Sequence, residues 1–148
     1  MTTYYAGIGS RSTPPRVQER MTSLAMEYAA RGWILRSGAA EGADAAFERG
    51  AGDLKEIWLP WRGFNGHPSL LTPKPGAFVM AASFHPAWDR LSQGAQKLHA
   101  RNCHQIFGPD LETPVELVLF WTPSGGIEGG TGQALRIAKH YGIRALCV

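Results

Sequence analysis

The chain has 148 residues, 44% of them apolar and 18% charged, with a formal net charge of +3. That length and composition predict a single folded domain over residues 1–148 with a sizeable core, and exclude a disordered chain. No apolar run approaches the roughly 20 residues of a membrane-spanning helix and no run of like charges suggests a nucleic-acid tail. The two isolated cysteines, Cys103 and Cys147, predict reduced thiols in a cytoplasmic protein.

Residues 4–8 form a short apolar run ended by glycine, and Thr13-Pro14-Pro15 supplies a capping residue with prolines suited to a first helical turn. Val17, Met21, Leu24, Ala25 and Tyr28 then recur at steps of three and four, which predicts a helix stopped by Gly32 before a second strand at 33–37. A short helix over 43–50 turns Ala46 and Phe47 inward, and residues 56–59 read as a third strand. Residues 60–76 hold four prolines and three glycines without periodicity, so a long loop is expected at about 60–78, lying over the site. A helix is expected from 86 to about 105, an interior strand at 115–121, a helix at 130–141 capped by Gly142, and a last strand at 143–148.

Strands alternating with helices predict an α/β fold, a Rossmann-like, doubly wound, mainly parallel five-stranded sheet with helices on both faces. Three turns that follow predicted strands are rich in small residues: 6–11, 36–44 and 123–132. In a parallel sheet all three lie at the carboxyl edge, where ligands bind and where helix N-termini present free N–H groups to anions. Their convergence on one ligand is the central expectation. The better known nucleotide loops do not match: Gly7-Ile8-Gly9 is followed by Ser10-Arg11-Ser12, without the third glycine of GxGxxG, and no GxxxxGK[ST] occurs.

The turns resemble instead the SLOG superfamily, which unites DprA-type Rossmann-like domains with the LOG or "lysine decarboxylase-like" phosphoribohydrolases. Gly9-Ser10-Arg11 is similar to the opening G-[ST]-R of DprA-type domains, and Ser37-Gly38-Ala39-Ala40-Glu41-Gly42-Ala43-Asp44 to their S-G-x-A-x-G-[IA]-D segment. The resemblance spans most of the chain. It implies ligands ranging from single-stranded DNA to nucleotide-derived metabolites, and pairing into a homodimer. In the LOG branch an Arg-Lys pair and a P-G-G-x-G-T-x-x-E loop cleave an N-glycosidic bond. Arg101-Asn102 resembles the first element, while residues 123–131 keep the Pro, glycines and Thr131 but carry an insertion and place Ala134 where the Glu belongs. Glu128 or Glu41 would have to replace that carboxylate, making Arg101 and Glu128 the candidate catalytic pair.

The candidate ligand contacts are Gly9, Ser10 and Arg11 from the first turn, and Arg36, Ser37, Gly38, Gly42 and Asp44 from the second. Asn102 joins them, with Gly125, Gly126, Gly129, Gly130 and Thr131 from the third. Ser10, Ser37 and Thr131 offer hydroxyls to a phosphate, and Arg11, Arg36 and Arg101 offer bidentate guanidinium contacts. Arg36, at the end of an apolar strand beside a glycine turn, is expected to reach into the cleft, so that Arg36→Ala would weaken binding at least tenfold. Asp44 reads equally as a ribose or base contact and as an acid stabilised by a helix dipole. Trp61 or Phe64 in the long loop could cover a base. His67, His85, His99, His104 and His140 form no ligand-spaced pattern, so no metal site and no cofactor are expected. The leading expectation is a binder of a nucleotide-derived small molecule, a nucleoside monophosphate or ADP-ribose-like compound, acting as sensor, sequestering protein or hydrolase. The alternative is a DprA-like binder of single-stranded DNA, with affinity falling steeply with salt.

Overall fold

The computed structural model describes residues 1–126 and 129–148. Five strands, β1 (Tyr4–Gly9), β2 (Ile34–Ser37), β3 (Lys55–Ile57), β4 (Leu117–Trp121) and β5 (Arg144–Cys147), form one sheet in the order β3-β2-β1-β4-β5, and every neighbouring pair is parallel. The helices are α1 (Pro15–Ala30), α2 (Ala43–Ala51), α3 (Pro75–Phe84), α4 (Gln93–Phe107) and α5 (Gly129–His140). The chain steps outward from β1 to β3 and then returns to the other side of β1 as β4. The strand order therefore reverses between β1 and β4, and a crevice opens there at the carboxyl edge. This is the doubly wound, Rossmann-like α/β fold expected from the sequence.

Alternation along the strands distributes the core between two layers. On one face Tyr5, Leu35, Ile57 and Leu119 meet Val17 and Met21 of α1 and Phe47 of α2. On the other, Ala6, Ile8, Val118 and Phe120 meet Ala77, Ala100, Ile106 and Ile137 from α3, α4 and α5. Gly7 lets α2 sit directly on the sheet, since a Cβ there would lie 2.5 Å from Cγ of the fully buried Phe47.

Two sequence expectations need correction. The loop expected to about residue 78 ends at Lys74, because Pro75 opens α3 with its missing N–H and fixed φ where a helix tolerates both. The helix expected from residue 86 starts at Gln93: Trp88–Arg90 is a separate 3-10 turn, and the Ser92 side chain caps α4 by accepting from the Ala95 N–H at 3.1 Å. Among the described residues no helix is long and apolar enough to cross a membrane.

Candidate ligand-binding site

The three glycine-rich turns meet at the strand-order reversal. The first is folded over itself: the Ser10 N–H donates to the Trp121 carbonyl at 3.0 Å, tying β1 to the end of β4, and the Thr13 hydroxyl donates to the Ser10 carbonyl at 2.6 Å. The second turn presses against the first, with the Ala43 N–H 3.3 Å from the Ser10 carbonyl. Gly42 makes that approach possible, because its φ is +77° and a Cβ would lie 2.6 Å from the carbonyl oxygens of both Ser10 and Arg11.

Between them lies a cavity of about 500 Å³, within the usual size range of small-molecule sites. Gly9, Ser10 and Arg11 line it from the first turn, and Ala40 and Asp44 from the second. Thr122 and Pro123 follow β4, and Gly129, Gly130 and Thr131 are the first turn of α5. That helix N-terminus brings the positive end of a helix dipole to the cavity wall. One face of α4 closes the opposite side with Leu98, Arg101, Asn102 and Gln105, spaced three and four residues apart, and Phe64 covers it from the long loop.

Arg101 is the interior cation, 5% exposed. Its Nη1 donates to the carbonyls of Gly38 at 2.6 Å and Trp58 at 3.1 Å, and its Nε to Asn102 Oδ1 at 2.8 Å. Three of the five guanidinium hydrogens are thus engaged, and the two on Nη2 have no hydrogen-bond partner among the described residues. Burial pulls the Arg101 pKa below its ordinary value while the charge of Asp44 opposes that shift. Asp44, also 5% exposed, is displaced the other way: burial pushes its carboxyl up to about 6, against the Arg101 charge and the Ala40 N–H, which donates to Oδ2 at 3.2 Å. Asn102 links this group to α5 by donating from Nδ2 to the Gly130 carbonyl at 3.4 Å.

Of the residues expected from sequence, the cavity wall holds Gly9, Ser10, Arg11, Asp44, Arg101, Asn102, Gly129, Gly130 and Thr131. Arg36 is not among them. It pairs in register with Ala6 and Glu56, so its side chain enters the layer beneath α4 and away from the carboxyl edge. There it is 1% exposed, with Nε 3.1 Å from Glu56 Oε1, Nη1 donating to the Thr113 carbonyl at 2.6 Å and the guanidinium 3.8 Å from the Tyr4 ring centre. Ser37 is buried and donates to the Gly7 carbonyl at 2.6 Å. Gly38 and Gly42 act behind the wall: the first presents its carbonyl to Arg101, and a Cβ on it would collide with Arg101 Nη1 and Gln105 Nε2. Gly125 and Gly126 shape the turn after β4, where the Thr122 hydroxyl donates to the Gly126 carbonyl at 2.9 Å, and neither lines the cavity. Glu41 is exposed and outside the wall. Glu128 lies outside the described residues. Sequence reasoning passed over Gln105, Leu98 and Thr122. The signal for the first two was their helical spacing from Arg101.

Fold and cavity together define a Rossmann-like α/β domain with a ligand crevice at its switch point. No protein-family model and no curated protein matches the chain. Among solved structures it is similar to DNA processing protein A from Helicobacter pylori, described for its single-stranded DNA binding mode, with a TM-score of 0.60 and 16% identity over 98% of this chain and 64% of that one. It is also similar to the Moco carrier protein of Chlamydomonas rheinhardtii, with a TM-score of 0.56 and 16% identity over 100% of this chain and 76% of that one. The chain thus spans less than two thirds of the DNA processing protein A chain. Likeness at this identity is a likeness of fold, and the fold is DprA-like.

Proposed function

We propose that the chain binds a nucleotide-derived small molecule in the switch-point cavity, with its phosphate held by the N-terminus of α5 and by Arg101. The observation that carries this reading is the pairing of a helix N-terminus with a fixed interior guanidinium whose Nη2 donors have no partner among the described residues, across a cavity of about 500 Å³. Binding alone makes a sensor or a sequestering protein. Cleavage of an N-glycosidic bond would also require a positioned carboxylate, and among the described residues Asp44 is the one carboxylate in the wall. A carboxyl pushed up to about 6 is suited to exchange a proton near neutral pH.

The second reading, single-stranded DNA binding, draws on the DprA-like fold and on the exposed Arg11 at the cavity. Calorimetry with nucleoside monophosphates, ADP-ribose and a DNA oligomer separates the two, and chromatography of the same mixtures detects a released base. Saturable binding of a mononucleotide or ADP-ribose, with weak and strongly salt-dependent DNA binding, is the expected result. A tight DNA complex without response to any free nucleotide would overturn it. The resemblance also implies a homodimer, which sedimentation velocity would read as twice the monomer mass.

A further inference from the structure

Asp44 and Arg101 are each 5% exposed and line the same cavity, yet no salt bridge joins them among the described residues. The Arg101 hydrogens on Nη1 and Nε go to the carbonyls of Gly38 and Trp58 and to Asn102, while Asp44 Oδ2 accepts from the Ala40 N–H at 3.2 Å. The third charged side chain of the wall among the described residues, Arg11, is exposed to solvent. The interior of the site therefore holds one cation and one carboxyl within about 500 Å³. Burial is the largest influence on that carboxyl and disfavours its charge. Arg101 of α4, the Ala40 N–H and the Ser37 hydroxyl at the end of β2 oppose burial, and Glu48, one turn further along α2, adds to it. Asp44 stands in the first turn of α2, where the helix dipole also favours the anion, but burial prevails and holds its pKa at about 6. An anion that settles on Arg101 shifts this balance twice: it engages the countercharge of Asp44, and it brings a like charge into the same small space. Both effects favour the neutral carboxyl.

We infer that anion binding in this cavity is coupled to proton uptake by Asp44, so that the ligand enters together with a proton and is released as pH rises. This inference rests on the reading of the cavity as a phosphate-ligand site. The coupling is distinct from a role for Asp44 as a ribose contact, because a ligand hydroxyl donating to the carboxylate favours the charged form and removes the need for a proton. By linkage, the affinity for an anion of constant charge is nearly flat below pH 6. Above it, affinity falls by up to tenfold per pH unit, until the higher pKa of Asp44 in the complex is reached.

The test is calorimetric titration of wild type and Asp44→Asn with ADP-ribose, whose diphosphate does not titrate between pH 5 and 8, and with adenosine 5′-monophosphate. Each titration is run at pH 7.5 in phosphate-free buffers of low and high ionisation enthalpy, so that the slope of the observed heat against buffer enthalpy counts protons. Wild type should take up more than half a proton for each ADP-ribose bound, a measurement that needs no variant. Its ADP-ribose affinity should fall at least tenfold between pH 6 and 8. Asp44→Asn, which keeps an acceptor for the Ala40 N–H, should take up no proton, hold its affinity within twofold over that range, and bind at least tenfold more tightly than wild type at pH 8. Adenosine 5′-monophosphate should show the same difference between the two proteins. Binding by wild type without proton uptake, or uptake that persists in Asp44→Asn, would overturn the coupling and leave the phosphate site standing. Absence of binding by both compounds from pH 5.5 to 8 would overturn the phosphate site itself.

Discussion

Asp44 connects the site to the stability of the fold, and the connection can be measured through Asp44→Asn. Burial raises its pKa from 3.8 to about 6, so the folded chain holds this proton more tightly than the unfolded one. The favourable contribution is complete below 3.8 and is lost as pH rises through about 6. The shift of roughly 2 units at 1.36 kcal/mol per unit means that the ionised carboxylate costs the native state about 3 kcal/mol at pH 8. Asparagine keeps an oxygen to accept the Ala40 N–H and removes the charge. Asp44→Asn should therefore be more stable than wild type by about 3 kcal/mol at pH 8, an increase of about 6–12 °C in melting temperature for a chain of this size, and should match wild type at pH 3.5. Urea denaturation at a series of pH values gives the comparison directly, and the titration of other groups cancels in the difference. A gap that is absent at pH 8, or that is equally large at pH 3.5, would refute the claim that burial of a charge dominates this residue. The same variant should flatten the pH dependence of phosphate-ligand affinity, since ionised Asp44 repels an anion in the same cavity.

Arg36→Met should destabilise the protein by about 3 kcal/mol in urea denaturation, because it removes the countercharge of Glu56, leaving it only the Trp58 indole N–H, and the donor to the Thr113 carbonyl, while ligand affinity stays within twofold. A tenfold loss of affinity at unchanged stability would return Arg36 to the site. Gly42→Ala should cost about 2–4 kcal/mol and weaken binding as well, since it forces an alanine to a φ of +77° and against two carbonyls of the first turn; wild-type stability would show that the two turns are not packed as described. His104 is held neutral, with Nδ1–H donating to the Gly108 carbonyl at 2.8 Å and Nε2 accepting from the Lys74 N–H at 3.1 Å, and burial lowers its pKa from 6.5. Its contribution is complete above 6.5 and is lost as pH falls below that value. In the Asp44→Asn background the urea midpoint should therefore drop between pH 6.5 and 5, and a flat profile would contradict it.

Much of the fold was legible because its periodicities are local. The steps Val17, Met21, Ala25 of α1 and the continuous apolar run of β4 each report one element without reference to the rest of the molecule. Helix α3 was not legible for the opposite reason: the sequence Pro-Gly-Ala-Phe-Val-Met-Ala-Ala-Ser-Phe is nearly apolar on every side, so it shows no stripe, and its Pro-Gly start reads as a turn. The convergence of the three glycine-rich turns followed from strand parallelism alone. What sequence could not supply was the direction of individual side chains. Arg36 and Ser37 are adjacent on β2, yet Arg36 faces one layer and Ser37 donates to a neighbouring strand, and only the register that sets Glu56 opposite Arg36 reveals an internal ion pair. Gln105 was hidden by a different fact: a polar residue near the end of a helix is ordinarily solvated, and nothing in composition marks one that is buried in a cavity wall.

The arrangement of cations bears on which of the two proposed ligands fits. A single strand of DNA is held by exposed cations that follow its backbone, with bases stacked on aromatic rings along a groove. Here Arg101, whose Nη2 has no hydrogen-bond partner among the described residues, is 5% exposed at the wall of a cavity, so a phosphate reaches it only by entering. A terminal phosphate on a small molecule can do so, whereas a backbone phosphodiester would have to carry its two flanking nucleotides into about 500 Å³. Arg101 is moreover fixed by bonds to Gly38, Trp58 and Asn102, so its remaining donors are oriented before the ligand arrives and no further side-chain entropy is lost on binding. Arg11, exposed at the rim of the same cavity, adds charge where the ligand enters. In the reading proposed above, a deep, prealigned guanidinium beside a helix terminus would take a compact ligand with an accessible terminal phosphate, a free nucleotide in preference to a polymer.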